Sequence, residues 1–410
     1  MLEQFSIGNL TVVTPKVVRK ESGIVINGGC IEDIGKRGNV NFKFKKPVFA
    51  FPALINVHDH LRGDYLPRVG PREGNFYLNW SYWDNDLKSS DVYEERANIS
   101  VEDCYYLGAY KNLFSGVVTV NDHFPHELNN LLIPKMPIRV IKEYNLAHEC
   151  SSFDLKWGDG IEIEHSRAVE RNEPFITHLE EGFDEESQRG IEILEELNCL
   201  DEYGVFVHCI GFSDEDIRKT KEAGATIVWC PASNMFMFNV TCKIEKILRE
   251  GINVSIGTDS THTGSINILE EIRYARRLYR RMYGKDLPAR DIVDMVTINA
   301  ARAFRMEDRI GTLENGKFAD VLVIKANVSD PYEALVNASV MDIELLLMEG
   351  SPIYGSLEFE ELFKLRDVDY TKVTVGGREM LVKGDPAGLM DRIRNAVGFN
   401  KKLDFIPIDN

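Results

Sequence analysis

Between residues 50 and 305 the sequence alternates short apolar runs with longer helix-like stretches, and this alternation constrains the fold most strongly. The runs have the length and β-branched content of buried strands. Strands that alternate with helices of roughly 10–15 residues indicate βαβ units and a parallel sheet. The clearest strands are Ala53–Val57, Gly116–Val120, Ile138–Ile141, Phe175–Thr177, Val205–Val207, Thr226–Trp229 and Asn253–Ile256.

One further strand of this series is expected within Glu149–Trp157, where the pattern is less regular. Together these strands predict an α/β protein with a (β/α)8 TIM-type barrel, in which functional side chains lie at the carboxyl ends of the strands. The helix-like stretches that follow them include Val101–Phe114, Ser187–Leu197, Asp214–Ala223, Cys242–Glu250 and Leu269–Met282.

Both ends of the chain carry short strand-like runs separated by glycine and proline, such as Phe5–Val13, Cys30–Ile34 and Ile343–Met348. Neither end is long enough to bury a stable core alone. We therefore expect residues 1–50 and 310–410 to form one composite β-sandwich, and residues 51–309 to form the barrel.

Composition and charge exclude several classes of function. The formal net charge of -17 argues against binding to a phosphate backbone. The apolar runs are far shorter than the ~20 residues of a membrane span, and the first residues lack the pattern of a signal peptide. The seven cysteines are scattered, as in proteins with reduced thiols. A cytoplasmic protein with a small-molecule substrate is the simplest expectation.

Ionisable residues stand at the ends of several predicted strands. His58 and His60 end the first one, and alternation along a strand points both imidazoles the same way while Asp59 points oppositely. His178, His208 and Asp259 end three others in the same manner. Such residues are costly to bury without partners, and a divalent metal is a partner that imidazole and carboxylate groups share.

The same stretches resemble the amidohydrolase superfamily, in particular its mononuclear deaminase/chlorohydrolase branch, which includes deaminases of guanine and adenosine derivatives. The resemblance covers nearly the whole chain. It is carried by Leu54–His60, Ile176–Gly182, Val207–Ile217, Trp229–Asn234, Ser255–Ser260 and Ala300–Ile324.

This resemblance implies one divalent metal, usually zinc and sometimes iron, held by His58, His60, His178 and Asp259. Glu181 would be the proton shuttle, and His208 would bind the metal-activated water or the developing oxyanion. Asp259 would also share the catalytic work by accepting a proton from that water. Relatives commonly assemble as dimers or larger forms, so the resemblance also implies a homo-oligomer.

Each of these residues has a structural alternative. The acidic run that contains Glu181 is also typical of a solvated helix N-terminus. In the structural alternatives, His208 is a core histidine and Asp259 is a helix N-cap or turn residue before Ser265–Glu271. A second metal would need a bridging lysine, and neither Lys142 nor Lys156 has a strand-end context, which favours a single metal.

The remaining histidines carry weaker expectations. His123 and His126 follow a predicted strand and would either contact substrate or serve the structure, and His262 would contact substrate. His148 and His165 are expected at the surface.

The segment Arg62–Ser90 is long for a connection within a barrel, and such segments are often functional lids. Its arginines and aromatic rings would suit a flat heterocycle or a carboxylate, although a loop packed against the barrel or a second subunit is an equal alternative. The residues concerned are Arg62, Tyr65, Arg68, Arg72, Tyr77, Trp80, Tyr82 and Trp83.

The leading hypothesis is hydrolytic deamination of a heterocyclic amine, such as a purine, a pterin or a triazine-like compound. Hydrolysis of an amide or cyclic amide at the same metal is the alternative. A third hypothesis is a binding protein that has kept the fold without catalysis, which the complete set of expected ligands disfavours.

Overall fold

The computed structural model describes residues 3–35, 41–71 and 74–409, and its architecture is α/β. The first strands are β1 (Gln4–Val13), β2 (Val18–Asn27), β3 (Cys30–Gly35), β4 (Phe42–Lys43) and β5 (Val48–Pro52). β2 pairs antiparallel with both β1 and β3. β4 and β5 pair parallel with β1. The β2–β3 hairpin turns at Gly28 and Gly29, whose φ values of 56° and 87° suit a two-residue turn that favours glycine.

A series of parallel strands follows in two sheets, ordered β6-β7-β8 and β9-β10-β11-β12-β13. Nearly all their residues are buried, as expected for strands covered on both faces. They are β6 (Leu54–Asp59), β7 (Val117–Asp122), β8 (Arg139–Val140), β9 (Asn145–Glu149), β10 (Phe175–Leu179), β11 (Gly204–His208), β12 (Thr226–Trp229) and β13 (Asn253–Ile256).

The strand expected within Glu149–Trp157 lies earlier in the chain, at β9, so that placement was wrong. Three of the five residues of β9 are polar, although all five are buried, and its sequence therefore lacks the apolar signature of its neighbours. Glu149 pairs in register with His178 of β10, which brings the end of β9 to the same edge of the sheet.

Helices connect these strands. They are α1 (Trp80–Lys88), α2 (Asp91–Arg96), α3 (Val101–Phe114), α4 (His126–Asn129), α5 (Ile161–Arg171), α6 (Gly190–Glu196), α7 (Asp214–Ala223), α8 (Pro231–Phe238), α9 (Ile244–Arg249), α10 (Ile268–Tyr283), α11 (Ala289–Met295) and α12 (Ile298–Ala303). Local chemistry sets their ends. In α7, Ser213 and Asp216 form a capping box, and Gly224 ends the helix in the left-handed conformation.

The two parallel sheets meet where β13 approaches β6. The Asp259 amide donates a hydrogen bond to the His58 carbonyl oxygen over 3.1 Å. Gly257 allows this approach, because a Cβ atom at that position would lie 2.7 Å from the Cβ atom of His58. Within residues 3–35, 41–71 and 74–409, no strand ladder joins β13 to β6 or β8 to β9.

The C-terminal strands return to the first sheet. They are β14 (Val321–Lys325), β15 (Ile343–Met348), β16 (Ser351–Ser356), β17 (Tyr370–Val375) and β18 (Arg378–Lys383). β14 pairs antiparallel with β5, so strands from both chain ends share one ten-stranded sheet. The strand-like pattern of the tail did not indicate its helices, α13 (Pro331–Val336), α14 (Glu360–Leu365) and α15 (Pro386–Val397).

None of the helices in the described part of the chain combines the length and the apolar composition needed to cross a lipid bilayer.

Candidate metal centre

The carboxyl ends of β6, β10 and β13 bring four predicted site residues together. The Nε2 atoms of His178 and His58 lie 3.3 Å apart. Asp259 Oδ1 lies 3.9 Å from His58 Nε2 and 3.6 Å from His60 Nε2. We call these four residues, His58, His60, His178 and Asp259, the histidine cluster.

The spacing of these atoms can be compared with that of metal ligands. Two nitrogen donors at about 2.0–2.1 Å from a tetrahedral Zn²⁺ lie about 3.3–3.4 Å apart. The contacts within the histidine cluster begin at 3.3 Å. The donor set of three imidazoles and one carboxylate is also one that zinc or ferrous iron accepts. The residues therefore fit a single first-row divalent ion.

Hydrogen bonds behind two imidazoles orient their ligand atoms. His60 Nδ1 lies 3.0 Å from the His123 carbonyl oxygen, and His178 Nδ1 lies 2.7 Å from the His148 carbonyl oxygen. A carbonyl oxygen only accepts, so each Nδ1 carries the proton and each Nε2 presents a lone pair to the cluster. Metal-bound histidines usually have such partners.

The carboxylate of Asp259 is oriented in a comparable way. Its Oδ2 accepts hydrogen bonds from the hydroxyls of Ser233, at 2.6 Å, and Thr263, at 2.8 Å. Its Oδ1 accepts from the Ser260 amide and faces the histidines. Although burial opposes ionisation, the neighbouring His60 and His208 rings and these hydrogen bonds hold the pKa of Asp259 below its ordinary value.

Two imidazoles of the cluster, His58 and His178, favour the neutral form. Burial lowers the pKa of His58 well below its ordinary value, and neighbouring histidines, first His60, lower it further. Burial and the adjacent His123 ring do the same to the pKa of His178. Neutral imidazole is the form that binds metal ions.

Glu181 and His208 lie beside the histidine cluster. His208 ends β11, and its Nε2 is 3.6 Å from Glu181 Oε1. His208 Nδ1 lies 2.8 Å from Asn234 Oδ1, an acceptor that places the ring proton on Nδ1. Asn234 Nδ2 in turn donates to Thr241 Oγ1 over 3.0 Å. Burial raises the pKa of Glu181, and the charge of Asp259 raises it further.

The backbone is strained around this site. Glu180, His208, Cys209 and Asp259 have φ values of 52°, 70°, 51° and 56°, in the left-handed region that favours glycine. Such conformations tend to gather at functional sites, where the surrounding structure enforces them.

The helix N-terminus alternative for Glu181 and the N-cap alternative for Asp259 do not match their positions. Glu181 is only 6% exposed and precedes the loop before α6, so it is no solvated helix N-terminus. The N-cap of α10 is Asn267, not Asp259. His208 lines a cavity together with Glu181 and Asp259.

This cavity has a volume of about 260 Å³. The histidine cluster lies on one side, and aromatic and aliphatic side chains form most of the other walls. Its lining includes His60, Arg62, Trp80, Trp83, Leu87, Lys88, Tyr93, Arg96, Phe124, His148, Leu155, Trp157, His178, Glu181, His208, Met237, Asp259 and His262.

Two histidines expected at the surface are buried, and these expectations were wrong. His148 is 5% exposed and lines the cavity, with its ring between Trp80 and Trp157 at centroid distances of 4.4 and 4.5 Å. His165 is 7% exposed and lies on α5, where Nε2 is 3.1 Å from Asp201 Oδ2. Neither sequence context has the periodicity that indicates burial.

Of the other histidines, one lines the cavity and the others lie outside its lining. His262 lines the cavity. His123 stacks on His178 at 4.5 Å and its Nε2 lies 3.1 Å from the Ala147 carbonyl oxygen, so it supports the cluster from behind. His126 Nε2 lies 2.9 Å from the Tyr144 carbonyl oxygen, and the ring does not line the cavity.

The long segment 62–90 contributes Arg62, Trp80 and Trp83 to the cavity wall. Tyr65 is buried, and its hydroxyl donates to Glu95. Arg68 donates to the Gly264 carbonyl oxygen. Arg72 lies outside the described residues.

Sequence reasoning missed three residues of importance here. Lys111 lies in α3 without solvent exposure and bridges Asp59 and Asp64. Asn234 and Trp157 were not singled out individually, although Asn234 closes the Trp229–Asn234 stretch. A lysine amid the apolar residues of a helix is the signal that would have indicated Lys111.

Comparisons with known proteins agree with this geometry. The amidohydrolase family model matches residues 162–367. The chain is 31% identical over 397 residues, 83% of it and 88% of the relative, to the 5-methylthioadenosine/S-adenosylhomocysteine deaminase of Caldanaerobacter subterraneus subsp. tengcongensis. It is 32% identical to the enzyme of that name from Pyrococcus abyssi over 350 residues, 73% of this chain and 80% of the relative.

Among solved structures, an adenosine deaminase from Xanthomonas campestris with bound zinc has the same fold. Its TM-score is 0.73 at 18% identity, covering 96% of this chain and 97% of that one. The chain belongs to the amidohydrolase family, which confirms the resemblance seen in the sequence. It is accordingly a hydrolase that acts on carbon–nitrogen bonds.

Proposed function

We propose that this protein is a metal-dependent hydrolytic deaminase of purine nucleosides of the adenosine type. One observation carries the proposal. His178 belongs at once to the trio His58, His60 and His178 and to a second trio with Glu181 and His208, and in each trio the ligand atoms lie within 4.8 Å of one another. In this proposal the metal site and the proton-transfer pair are contiguous.

The architecture that we propose for this function is a (β/α)8 barrel over residues 51–309 with a β-sandwich from residues 1–50 and 310–410. The hydrogen bond between Asp259 and His58 supports closure of the two parallel sheets into one barrel. The pairing of β5 with β14 supports a common unit for both chain ends. Catalytic side chains then occupy the carboxyl ends of the barrel strands, as is general for this fold.

In this proposal His58, His60, His178 and Asp259 hold one divalent ion, and zinc suits the donor set. When bound, such an ion lowers the pKa of a water molecule towards ~7 and supplies a nucleophile at neutral pH. The hydrogen bonds of His60 and His178 to backbone carbonyl oxygens keep their Nε2 lone pairs available for it.

Glu181 is assigned the proton transfer. Its burial raises its pKa, so the carboxyl group holds a proton at higher pH than an exposed glutamate does. In its ionised form the group would accept a proton from the attacking water, and as the carboxylic acid it would deliver that proton to the departing nitrogen while the carbon–nitrogen bond breaks. His208, whose proton on Nδ1 is held by Asn234, presents Nε2 to the same space and positions the reacting oxygen.

The cavity supports a flat heterocyclic substrate. Trp80, Trp83 and Trp157 line it together with Phe124, and such rings stack on planar bases. The names of the relatives from Caldanaerobacter and Pyrococcus, which specify adenosine derivatives, favour a purine over a pterin or a triazine.

The test is ammonia release from adenosine and 5′-substituted adenosines by the metal-loaded parent and by Glu181→Gln. Because general acid–base groups contribute about 10²–10⁴ in rate, the variant should lose at least about 10² in turnover and keep the metal content of the parent. Glu180→Gln is the matched control, since Glu180 accepts from the Ile191 amide and does not line the cavity.

A Glu181→Gln variant with parental turnover would assign the proton transfer to another group. Loss of its metal would make Glu181 a ligand. Absence of ammonia from every nucleoside, with hydrolysis of a cyclic amide instead, would replace deamination by the amidase alternative.

A further inference from the structure

The long segment that follows β6 contacts the chain at Glu181, in addition to placing aromatic rings in the cavity wall. Asn79, which precedes α1, pairs antiparallel with Gly182 in an isolated β-bridge. Beside this pair, the Trp80 amide donates a hydrogen bond to the Glu181 carbonyl oxygen over 3.2 Å. The part of the segment that makes these contacts is called the bridging segment and consists of Leu78, Asn79 and Trp80.

The side chain of Asn79 reinforces the bridge. It is only 1% exposed. Its Nδ2 donates to Asp184 Oδ2 over 2.7 Å, and its Oδ1 accepts from the Ser81 amide over 3.1 Å. Because a carboxylate only accepts and a backbone amide only donates, these two partners fix the orientation of the Asn79 amide group. The side chain therefore joins the first turn of α1 to the loop that follows Glu181.

The approach of the two backbones depends on Gly182. A Cβ atom at this position would lie 2.6 Å from the Cβ atom of Asn79 and 2.6 Å from Ser187 Oγ. Glycine is the residue that permits such close contact between two backbones. Any larger residue would push the bridging segment away from the chain at Glu181.

The end of β11 holds the same chain from another side. The Gly211 amide donates to the Glu180 carbonyl oxygen over 3.0 Å, and the Cys209 amide donates to the Leu179 carbonyl oxygen over 3.1 Å. Glu180 has a φ value of 52°, a conformation that persists only where the surrounding structure enforces it. Hydrogen bonds from two separate parts of the chain therefore fix the backbone on which Glu181 stands.

The position of the Glu181 carboxyl group depends on this backbone. Within residues 3–35, 41–71 and 74–409, no hydrogen bond orients the group, whose Oε1 lies 3.6 Å from His208 Nε2. A proton-transfer group must nevertheless lie within hydrogen-bond reach of the reacting atoms. The backbone contacts thus supply the orientation that the side chain lacks.

We propose that Asn79 is a positioning residue for Glu181. Through the bridging segment it fixes the Glu181 backbone and so directs the carboxyl group towards His208 and the histidine cluster. The long segment then takes part in proton transfer as well as in forming the cavity wall. This inference rests on the role that the proposed function gives to Glu181.

Exchange of the Asn79–Asp184 pair in the metal-loaded protein tests this role. Asn79→Asp keeps the acceptor for the Ser81 amide but places two carboxylates against each other, which should separate the bridge. Because a misplacement of about 1 Å can cost about 10²-fold in rate, we expect kcat for ammonia release to fall about 10- to 100-fold with full metal content. KM should change little, since the Trp80 indole keeps its hydrogen bond to Glu149.

Two variants complete this comparison. Asn79→Asp/Asp184→Asn restores a donor and an acceptor in the reverse order and should recover most of kcat. Asn79→Ser loses the donor without adding a charge, and it replaces Asn79→Asp should that variant not fold. Tyr77→Phe removes an exposed hydrogen bond to Asp86 within the same segment and, as the control, should match the parent.

Two further measurements separate positioning from a general effect on the fold. In a Glu181→Gln background, Asn79→Asp should lower turnover no further, since the group that Asn79 positions has already lost its capacity for proton transfer. Hydrogen exchange measured by mass spectrometry should be faster in Asn79→Asp over residues 78–81 and 180–184. The exchanged pair should return these residues to the parental rate.

Parental kcat in Asn79→Asp, an equal loss of turnover in the parent and Glu181→Gln backgrounds, or parental exchange rates at residues 180–184 would each overturn the positioning role. Failure of the parent to release ammonia from any nucleoside would instead overturn the proposed function. The exchange rates would then still decide whether Asn79 holds the Glu181 backbone.

Discussion

His58 and Asp59 are consecutive residues of β6, and their side chains enter two buried polar clusters that differ in how charge is balanced. His58 belongs to the histidine cluster. Asp59 lies on the opposite face, where Lys111 donates to Asp59 Oδ1 over 2.9 Å and to Asp64 Oδ1 over 2.7 Å. We call Lys111, Asp59 and Asp64 the lysine cluster.

The lysine cluster contains its own cation. All three of its side chains are buried without solvent exposure. Burial lowers the pKa of Lys111, but the two carboxyl groups outweigh this effect and raise it, so the ammonium form persists. Asn112 donates to the second oxygen of Asp59 over 2.7 Å, and the Thr261 amide donates to Asp64 over 3.0 Å.

In the histidine cluster, by contrast, burial favours the neutral form of His58 and His178 while Asp259 stays ionised. A buried polar cluster can thus be completed either by the chain itself or by a ligand. The lysine cluster should contribute to folding in all conditions. The histidine cluster should contribute chiefly when a metal ion is present.

The largest expected effect comes from removal of two ligands. His58→Ala combined with His60→Ala should abolish metal content, measured by elemental analysis, and with it all deaminase activity. In the parent, chelation should lower the free energy of unfolding by about 4 kcal/mol if the free metal had stood at 1,000 times its dissociation constant. In the double variant, chelation should leave the free energy of unfolding unchanged.

His165→Ala is the control for that experiment, since His165 is a buried histidine outside the cavity and should leave the metal in place. Full metal content in the double variant would show that the histidine cluster is not a metal site, and the contrast with the lysine cluster would be lost.

Lys111→Met should have the next largest effect, on stability. The change leaves Asp59 and Asp64 buried without their cation, and loss of one partner of a buried ion pair costs about 3–5 kcal/mol. Denaturation in urea should show this loss equally with metal bound and with metal chelated. Lys135→Met, at an exposed pair with Glu102, should change the free energy of unfolding by less than about 1 kcal/mol.

Recovery of stability in Lys111→Met/Asp59→Asn/Asp64→Asn would assign the loss to unpaired charge. A Lys111→Met protein as stable as the parent would show that the lysine cluster contributes nothing to folding.

These two clusters differ in how far sequence could predict them. The histidine cluster was visible because its members end apolar runs, and the ends of parallel strands meet at one edge of a sheet. That pattern is local in sequence, so His58, His60, His178, His208 and Asp259 could be grouped without coordinates. The family resemblance then singled out four of them as metal ligands.

The lysine cluster was not visible, because its members have no local pattern. Lys111 lies within a helix, where lysine is normally exposed, and Asp59 is 52 residues away. The position of β9 was not predicted for a related reason. Its polar residues are buried through distant partners, such as the Trp80 indole that donates to Glu149 over 2.5 Å, and only the tertiary structure brings these together.

Glu271 of α10 is a buried carboxyl group outside both clusters, and the effect of burial on its pKa outweighs that of its hydrogen-bond partners. Its Oε1 accepts from the Ala232 amide over 2.9 Å, and burial raises its pKa to about 7. Below pH 4.5 the group is protonated in the folded and unfolded states alike. As pH rises to 7, only the unfolded state loses the proton, so the folded state loses stability.

Glu271→Gln should remove this pH dependence. Between pH 5 and pH 8 the parent should lose roughly 2.5 kcal/mol more than the variant in free energy of unfolding, at about 1.36 kcal/mol for each pH unit of the shift. Urea denaturation at both pH values measures the difference. Glu270→Gln, at the adjacent residue paired with Arg273, serves as the control. If the free energy of unfolding depended on pH equally in the parent and in Glu271→Gln, Glu271 would be ionised in the folded state.

The smallest expected effect concerns orientation and not charge. Asn234 accepts the Nδ1 proton of His208 and thereby presents Nε2 to Glu181, so Asn234→Ala removes one neutral hydrogen bond. Such a bond contributes about 1 kcal/mol, which predicts about a five-fold lower kcat with KM little changed. Asn234→Asp keeps the acceptor oxygen and should recover most of the rate. Its carboxylate would also stabilise the protonated imidazole, so the acidic limb of the pH–rate profile should move to higher pH. If Asn234 had a purely structural role, both variants would have a lower free energy of unfolding and an unchanged pH–rate profile. A shifted pH–rate profile together with a rescued kcat would show that Asn234 positions His208.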